Sequence, residues 1–301
     1  MRVPFYILAL LTVLTTGCAP FRLSVEADLD HMESLRQKLN ERDSDFGDRV
    51  IAAYRSRFAA KFDPEHLAVT SNSDLQLLFD AAYLASAVSL GKPKIMPLRN
   101  LKAALTELDR RNLATYAYGV SYSLYVKARL FEEARLLFRD HRTPSMEALP
   151  EIVDLTNSAI GARVLTIDTK RRLLTVRVVD MRQGLRIIVV SHPECHFSKN
   201  AYHGIAAHPQ MSRIFAKYAL WLAPVATGID FATLQEWNQV HPDAATSIAY
   251  AQDEWPMLED WSTPTFYFVS DGRVVSRVSG WPQEGRIGEL LRAAKKVGIA
   301  K

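Results

Sequence analysis

Cysteine is nearly absent from this chain: Cys18 and Cys195 are the only two in 301 residues. No two-cysteine element is therefore available for a structural zinc site. His192, His196, His203 and His208 stand close in sequence, but spacings of four, seven and five do not bring all of them to one helix face. No metal and no other cofactor is expected. Nowhere do basic residues cluster with interleaved aromatics, and the net charge is a modest +4, which excludes the footprint of a nucleic-acid binder. The densest basic stretch, Lys170-Arg171-Arg172, reads as the cap of a turn. Acid/base pairs are missing too: Asp230, Glu259 and Asp260 read as surface charges.

A hydrophobic content of 48% and a charged content of 23% are those of a globular protein with a real core. At ~150 residues per domain the length allows two domains. Val3 to Leu14 is apolar but too short to span a bilayer as a permanent helix, and it reads as an export signal. "LTTGCAP", Leu14 to Pro20, follows it and resembles the lipobox of bacterial lipoproteins. That resemblance implies lipidation of Cys18. The lipobox leucine, normally three residues before the cysteine, is replaced by Thr15, with Leu14 one position further back. Cleavage near Ala19 without lipid is the alternative, and both routes export the protein. The expectation is a periplasmic or outer-membrane lipoprotein, held to the membrane by a lipid anchor at Cys18 rather than spanning it.

Export changes the meaning of Cys195. Cysteines outside the cytoplasm normally pair. With lipid on Cys18, Cys195 has no partner within the chain. It is then a free reactive thiol, a cysteine that pairs between molecules, or a buried and inert small hydrophobe.

Residues 1–18 form the signal and lipoprotein segment, 19–160 a helical domain and 161–301 an α/β domain. From Ala27 to Ser158 apolar residues recur at three- and four-residue spacing, as in "LQLLFDAAYLASAVSL" and "LKAALTELDRR". "FDPEH", "SNSD", "GKPKIMP" and "HRTP" supply caps and prolines at the stops, and Asp74 marks a helix entry. Strand signals are almost absent, so four to six helices in a bundle or stacked hairpins are expected. In "LYVKARLFEEARLLF", Tyr125, Phe131, Ala134 and Phe138 resemble the signature of a tetratricopeptide helix pair, with Arg129 where that repeat has its turn glycine.

After Ile160 the period changes to two. "RVLTIDT" and "RLLTVRVVDM" read as a strand pair and "LRIIVVS" as a strand buried on both faces. The spacing predicts a helix over 198–218, a strand in "YALWLAPVA" and a helix in "FATLQEWNQV". A strand in "SIAYA" and a short helix in "WPMLEDW" come next. "TFYFVS" and "RVVSRVS" then form a hairpin joined by Asp271-Gly272, and a C-terminal amphipathic helix closes the chain.

Cys195 falls where the buried strand gives way to a helix. At a helix N-terminus, unpaired backbone N–H groups and the positive end of the dipole stabilise a thiolate, and a protonated His196 would lower the thiol pKa further. With "IAYAQDEWPMLEDW" and "WSTPTFYFVSDGRVVSRVSG", the order of elements from Arg163 to Lys301 resembles the thioredoxin fold. The resemblance implies a cis peptide bond before Pro264, facing the cysteine, with Thr263 and Pro264 presenting a substrate segment as an added strand. An ordinary trans proline opening an edge strand is the other reading.

The departures from that family are informative. His192, Pro193 and Glu194 replace the usual Trp and Gly before the cysteine, and no acidic residue lies within "LRIIVVS". A peroxidase of the related peroxiredoxin type would have Thr where His192 stands. Ser198 takes the place of the resolving cysteine, so an intramolecular dithiol cycle is excluded. Monothiol members of the disulfide-isomerase family carry a similar Cys-x-x-Ser. The resemblance implies that Cys195 is the nucleophile, His196 tunes it and Ser198 hydrogen-bonds its sulfur, with thiols or disulfides of client proteins as partners. The alternative is a non-catalytic interaction scaffold in the cell envelope that retains the fold without the chemistry.

Overall fold

A computed structural model describes residues 24–38, 46–88, 95–157 and 161–300. Cys18, with the whole segment read as an export signal, lies outside the described residues, as does part of the 91–97 break. Among the described residues, no helix is long and apolar enough to cross a membrane.

Among the described residues, seven α-helices come first: α1 (Val25–Lys38), α2 (Phe46–Phe58), α3 (Pro64–Val69), α4 (Asn72–Val88), α5 (Ile95–Arg110), α6 (Thr115–Lys127) and α7 (Phe131–Asp140). The sequence pattern predicts four to six. The extra one is α3, since "FDPEH" does not only end a helix: Pro64 opens the next one at its first position, where its missing N–H costs nothing. Ser71, whose hydroxyl accepts the Asp74 N–H, marks the entry to α4. The apolar stripes converge on one core that includes Met32, Tyr54, Phe79, Leu101 and Tyr125. Two polar contacts fix its register. Asn100 donates to the buried Tyr54 hydroxyl at 2.9 Å. Asp28 on α1 accepts from Arg57 and Lys61 at 2.8 and 2.7 Å.

The α6–α7 pair buries Tyr125, Phe131 and Ala134, with Phe138 packed against the same core. Arg129 sits between the two helices at φ 63°, the left-handed conformation for which the repeat pattern uses glycine.

The second part is α/β, built on a mixed sheet of eight strands. These are β1 (Glu151–Asp154), β2 (Ala162–Ile167), β3 (Leu173–Val179), β4 (Leu185–Val190), β5 (Ala219–Ala223), β6 (Thr246–Ala249), β7 (Thr265–Ser270) and β8 (Arg273–Ser279), in the order β1-β3-β2-β6-β5-β4-β7-β8. Four helices join them: α8 (His196–Ala207), α9 (Pro209–Tyr218), α10 (Phe231–Val240) and α11 (Ile287–Lys296). β4, β5 and β6 run parallel, while β7 and β8 add antiparallel to one side. The β2–β3 hairpin joins the other side through β6. Asp168 closes that hairpin by accepting the N–H groups of Lys170 and Arg171, so the basic run does lie in a turn.

Alternation along β4 sorts its four fully buried residues. Ile187 and Val189 face a core with Ala201, Ile205, Phe215 and Leu290, and Ile188 and Val190 face one with Trp255, Leu258 and Tyr267. Asp271 and Gly272, at φ 46° and 76°, form the β7–β8 turn that their sequence calls for.

Three expectations are corrected. β1, which pairs parallel with β3, comes from the stretch read as helical to Ser158; four residues are too few to show a period, and the partner strand is distant in sequence. The single helix over 198–218 is two, because Pro209 cannot continue α8 and instead starts α9, capped by the His208 ring. No helix forms over Trp255–Trp261; a 3-10 turn over Gln252–Glu254 precedes it, and Trp255 is buried as a core ring.

Gly204 lets α8 pack directly against the Trp281 ring, just beyond β8. A Cβ there would lie 2.7 Å from Cζ2 of the buried Trp281. Gly204→Ala is therefore expected to destabilise the fold by about 1–3 kcal/mol through overpacking, despite the better helix propensity of alanine. A urea denaturation midpoint equal to or above wild type would refute this.

Candidate functional site around Cys195

The antiparallel register of β4 and β7 sets the site. Val190 lies opposite Thr265, so the chain leaving β4 runs beside the chain entering β7. The first is Ser191 to Cys195 and the second is Thr263-Pro264, whose peptide bond is cis. Ser191 still donates to Leu222 O at 3.0 Å, after which the backbone turns sharply into α8.

His192 holds that turn with three of its atoms. Its carbonyl accepts the Cys195 N–H at 3.0 Å, its Nδ1 accepts the Glu194 N–H at 3.3 Å, and its own N–H donates to Ser198 Oγ at 3.4 Å. Only an unprotonated Nδ1 can accept, and burial, opposed by Glu194 and Asp230, pushes this imidazole below its ordinary pKa.

Cys195 caps α8 with extended backbone (φ −74°, ψ 116°), its carbonyl accepting the Lys199 N–H at 3.0 Å. The side chain is partly exposed. As a thiol, Sγ donates to Thr263 O at 3.5 Å. Burial pushes the thiol pKa up. Hydrogen bonding from the Thr263 and Ser198 side chains and from the Ser198 and Phe197 N–H groups outweighs it, leaving Cys195 below an ordinary thiol. Ser198 is 4% exposed and accepts from His192, so its single proton is free to face the sulfur.

The structure thus brings Cys195, Ser198, Thr263 and Pro264 together. His196 is exposed, and its Nε2 pairs with Asn200 Nδ2 at 3.0 Å, one turn along the same helix; the donors that favour the thiolate are Thr263, Ser198 and Phe197. Phe197, 55% exposed, stands beside the cysteine as an apolar surface that its position in the sequence did not single out.

The remaining histidines have local roles. His208 caps α9, and His203 lies against His241, whose Nδ1 is 3.0 Å from the Tyr202 hydroxyl. Among the described residues, no three His, Cys, Asp or Glu side chains gather as a metal site. Asp230 is not a solvated charge: it accepts the Thr233 N–H and hydroxyl at the start of α10, a cap that "DFAT" already spells out. A cleft of about 320 Å³ between α6 and residues 228–231 is lined by Tyr122, Lys127, Glu147 and Asp230, and it contains no residue of the Cys195 site.

No protein-family model, no curated protein and no solved structure matches the chain.

Proposed function

We propose that this is an exported, lipid-anchored monothiol protein with a thioredoxin-like α/β domain, which forms mixed disulfides with client proteins through Cys195. One observation carries the reading: a partly exposed cysteine caps a helix, and Thr263, Ser198 and two backbone N–H groups favour its thiolate. The strand–cysteine–helix order and the Thr263-Pro264 loop beside the sulfur support the thioredoxin-like assignment.

In the reaction, the Cys195 thiolate attacks one sulfur of a client disulfide. A bond forms between Cys195 and that sulfur, the client S–S bond breaks, and the leaving client thiolate takes a proton from water. Ser198 cannot attack the mixed disulfide, because its hydroxyl is no leaving or accepting partner for sulfur exchange. Release requires a second thiol, either the one just freed on the client or a small external thiol.

Iodoacetamide labelling of the full chain, read by mass spectrometry at the Cys195 peptide against pH, tests the reading. A lowered thiol pKa means that thiolate persists to lower pH, so the expected midpoint lies below the value of about 8.5 for a free cysteine. Slow labelling, or a midpoint at or above about 8.5, would mean a fold that keeps its cysteine without the chemistry and would favour the scaffold reading.

A further inference from the structure

We infer that Asp260, at the base of the 260–265 loop, is a positioning residue that holds Thr263 against the Cys195 sulfur; this rests on the thiol reading above.

The loop must leave the interior at Leu258, pass the sulfur at Thr263 and re-enter the sheet at Thr265. Asp260 anchors its start at four atoms. Oδ1 accepts the Ser262 N–H at 2.9 Å and Oδ2 accepts the Ser279 hydroxyl at 3.1 Å. Its backbone N–H donates to the Tyr267 hydroxyl at 2.6 Å, and that hydroxyl donates back to the Asp260 carbonyl at 2.8 Å. Tyr267 is 1% exposed in β7, so the anchor is rigid. The far end is tied to the same strand pair. Thr265 Oγ1 lies 3.3 Å from Ser262 Oγ and 3.5 Å from Ser279 Oγ, and Gly280 N–H donates to Pro264 O at 2.8 Å. Thr263 is the residue in the middle, and its carbonyl meets Sγ.

The carboxyl is held ionised. Burial raises its pKa, but the Ser262 and Ser279 bonds and the Arg277 charge lower it further, so Asp260 stays below the ordinary carboxylate range. Arg277 on β8 also pairs with Glu259 at 3.7 Å. Asp260 itself is not among the groups that shift the thiol, so its effect on the sulfur runs through Thr263.

The sign of one measurement separates positioning from charge. A carboxylate acting on the sulfur directly would disfavour the thiolate, and its removal would lower the thiol midpoint. Thr263 acts on the thiol in two ways, its carbonyl accepting from Sγ–H and favouring the neutral form while its side chain favours the thiolate, and since the residue's net direction is downward, loss of positioning raises the midpoint. In the full chain, Asp260→Ala is expected to move the Cys195 alkylation midpoint up by about 0.5–1 pH unit. Asp260→Asn keeps the Oδ1 acceptor for Ser262 and is expected to shift it by less than half as much. A midpoint that is unchanged or falls in Asp260→Ala overturns the inference. If that variant does not fold at the assay temperature, Ser279→Ala removes the bonds to Asp260 Oδ2 and from Thr265 Oγ1 and leaves the charge; a smaller rise is expected there, and no rise overturns the inference. The wild-type midpoint alone tests the redox reading, so a high wild-type value defeats that reading while the difference between variants still measures Asp260.

Discussion

Arg129→Ala is expected to lower the unfolding free energy by about 2–3 kcal/mol. The Arg129 guanidinium donates from Nη2 to Ala249 O at 2.6 Å, from Nε to Tyr250 O at 3.1 Å and from Nη1 to Val126 O at 3.2 Å. It thereby ties the C-terminal end of α6 to the C-terminal end of β6. Among the described residues, no carboxylate forms an ion pair with it. Burial pushes its pKa down to about 10, which still leaves it charged at neutral pH. Holding a cation there is costly, and the three carbonyls and the Tyr250 ring, 6.0 Å away, offset that cost. A second guanidinium, Arg163, lies 4.0 Å from the same ring and is fixed by Glu254. Truncation takes the guanidinium donors from the Ala249 and Tyr250 carbonyls, while Val126 O keeps the Arg129 backbone N–H. Glycine in place of Arg129 loses the same bonds but accepts φ 63° freely, so Arg129→Gly is expected to be about 1 kcal/mol more stable than Arg129→Ala. Urea denaturation of the three proteins decides. A wild-type midpoint in Arg129→Ala, or a glycine variant weaker than the alanine variant, would contradict the argument.

The pattern of what was legible follows from where each feature gets its stabilisation. The apolar run Ile187 to Val190 of β4, the Asp271-Gly272 turn and the helix over Phe231–Val240 are encoded locally, and each forms where its residues predict. Cys195 at a helix start and its neighbour Ser198 were legible for the same reason, since the N-terminus of α8 needs only a buried strand followed by a periodic segment. Asp260 was not. It looks like one more charge after Glu259, and its role depends on Tyr267 and Ser279, which arrive through the β7–β8 pairing. Residues 255–261 carry apolar residues at a helical spacing, yet Trp255 and Leu258 are drawn into the core beneath β4 and the backbone follows them. β1 was missed because its partner β3 supplies the order that its own four residues lack. His196, adjacent to Cys195 in sequence, pairs along the helix with Asn200.

Cys195→Ala is expected to abolish mixed-disulfide formation with a disulfide-bonded peptide altogether, whereas Ser198→Cys is expected to form the adduct and then lose it. In the wild-type chain the adduct is expected to last until the freed peptide thiol or an external thiol attacks it, because the Ser198 hydroxyl, buried one turn along α8, donates a hydrogen bond but cannot displace a thiol. Positions 195 and 198 are three apart at the start of α8, so their Cβ atoms lie on one face, about 5–6 Å apart. A thiol at 198 is within a small side-chain adjustment of the bridged sulfur. It attacks Cys195 Sγ, an intramolecular disulfide forms, the bond to the peptide breaks, and the peptide leaves as a thiolate that takes up a proton. Non-reducing mass spectrometry at the Cys195 peptide follows all three proteins, with Cys18 counted separately. An adduct that persists in Ser198→Cys as long as in the wild type would show that residue 198 does not face the sulfur. An adduct that forms equally well in Cys195→Ala would mean that Cys195 is not the nucleophile. The opposite pair of results assigns attack to Cys195, and it explains why a chain so poor in cysteine carries serine at residue 198: the serine holds the sulfur ready and leaves the captured client bound until another thiol arrives.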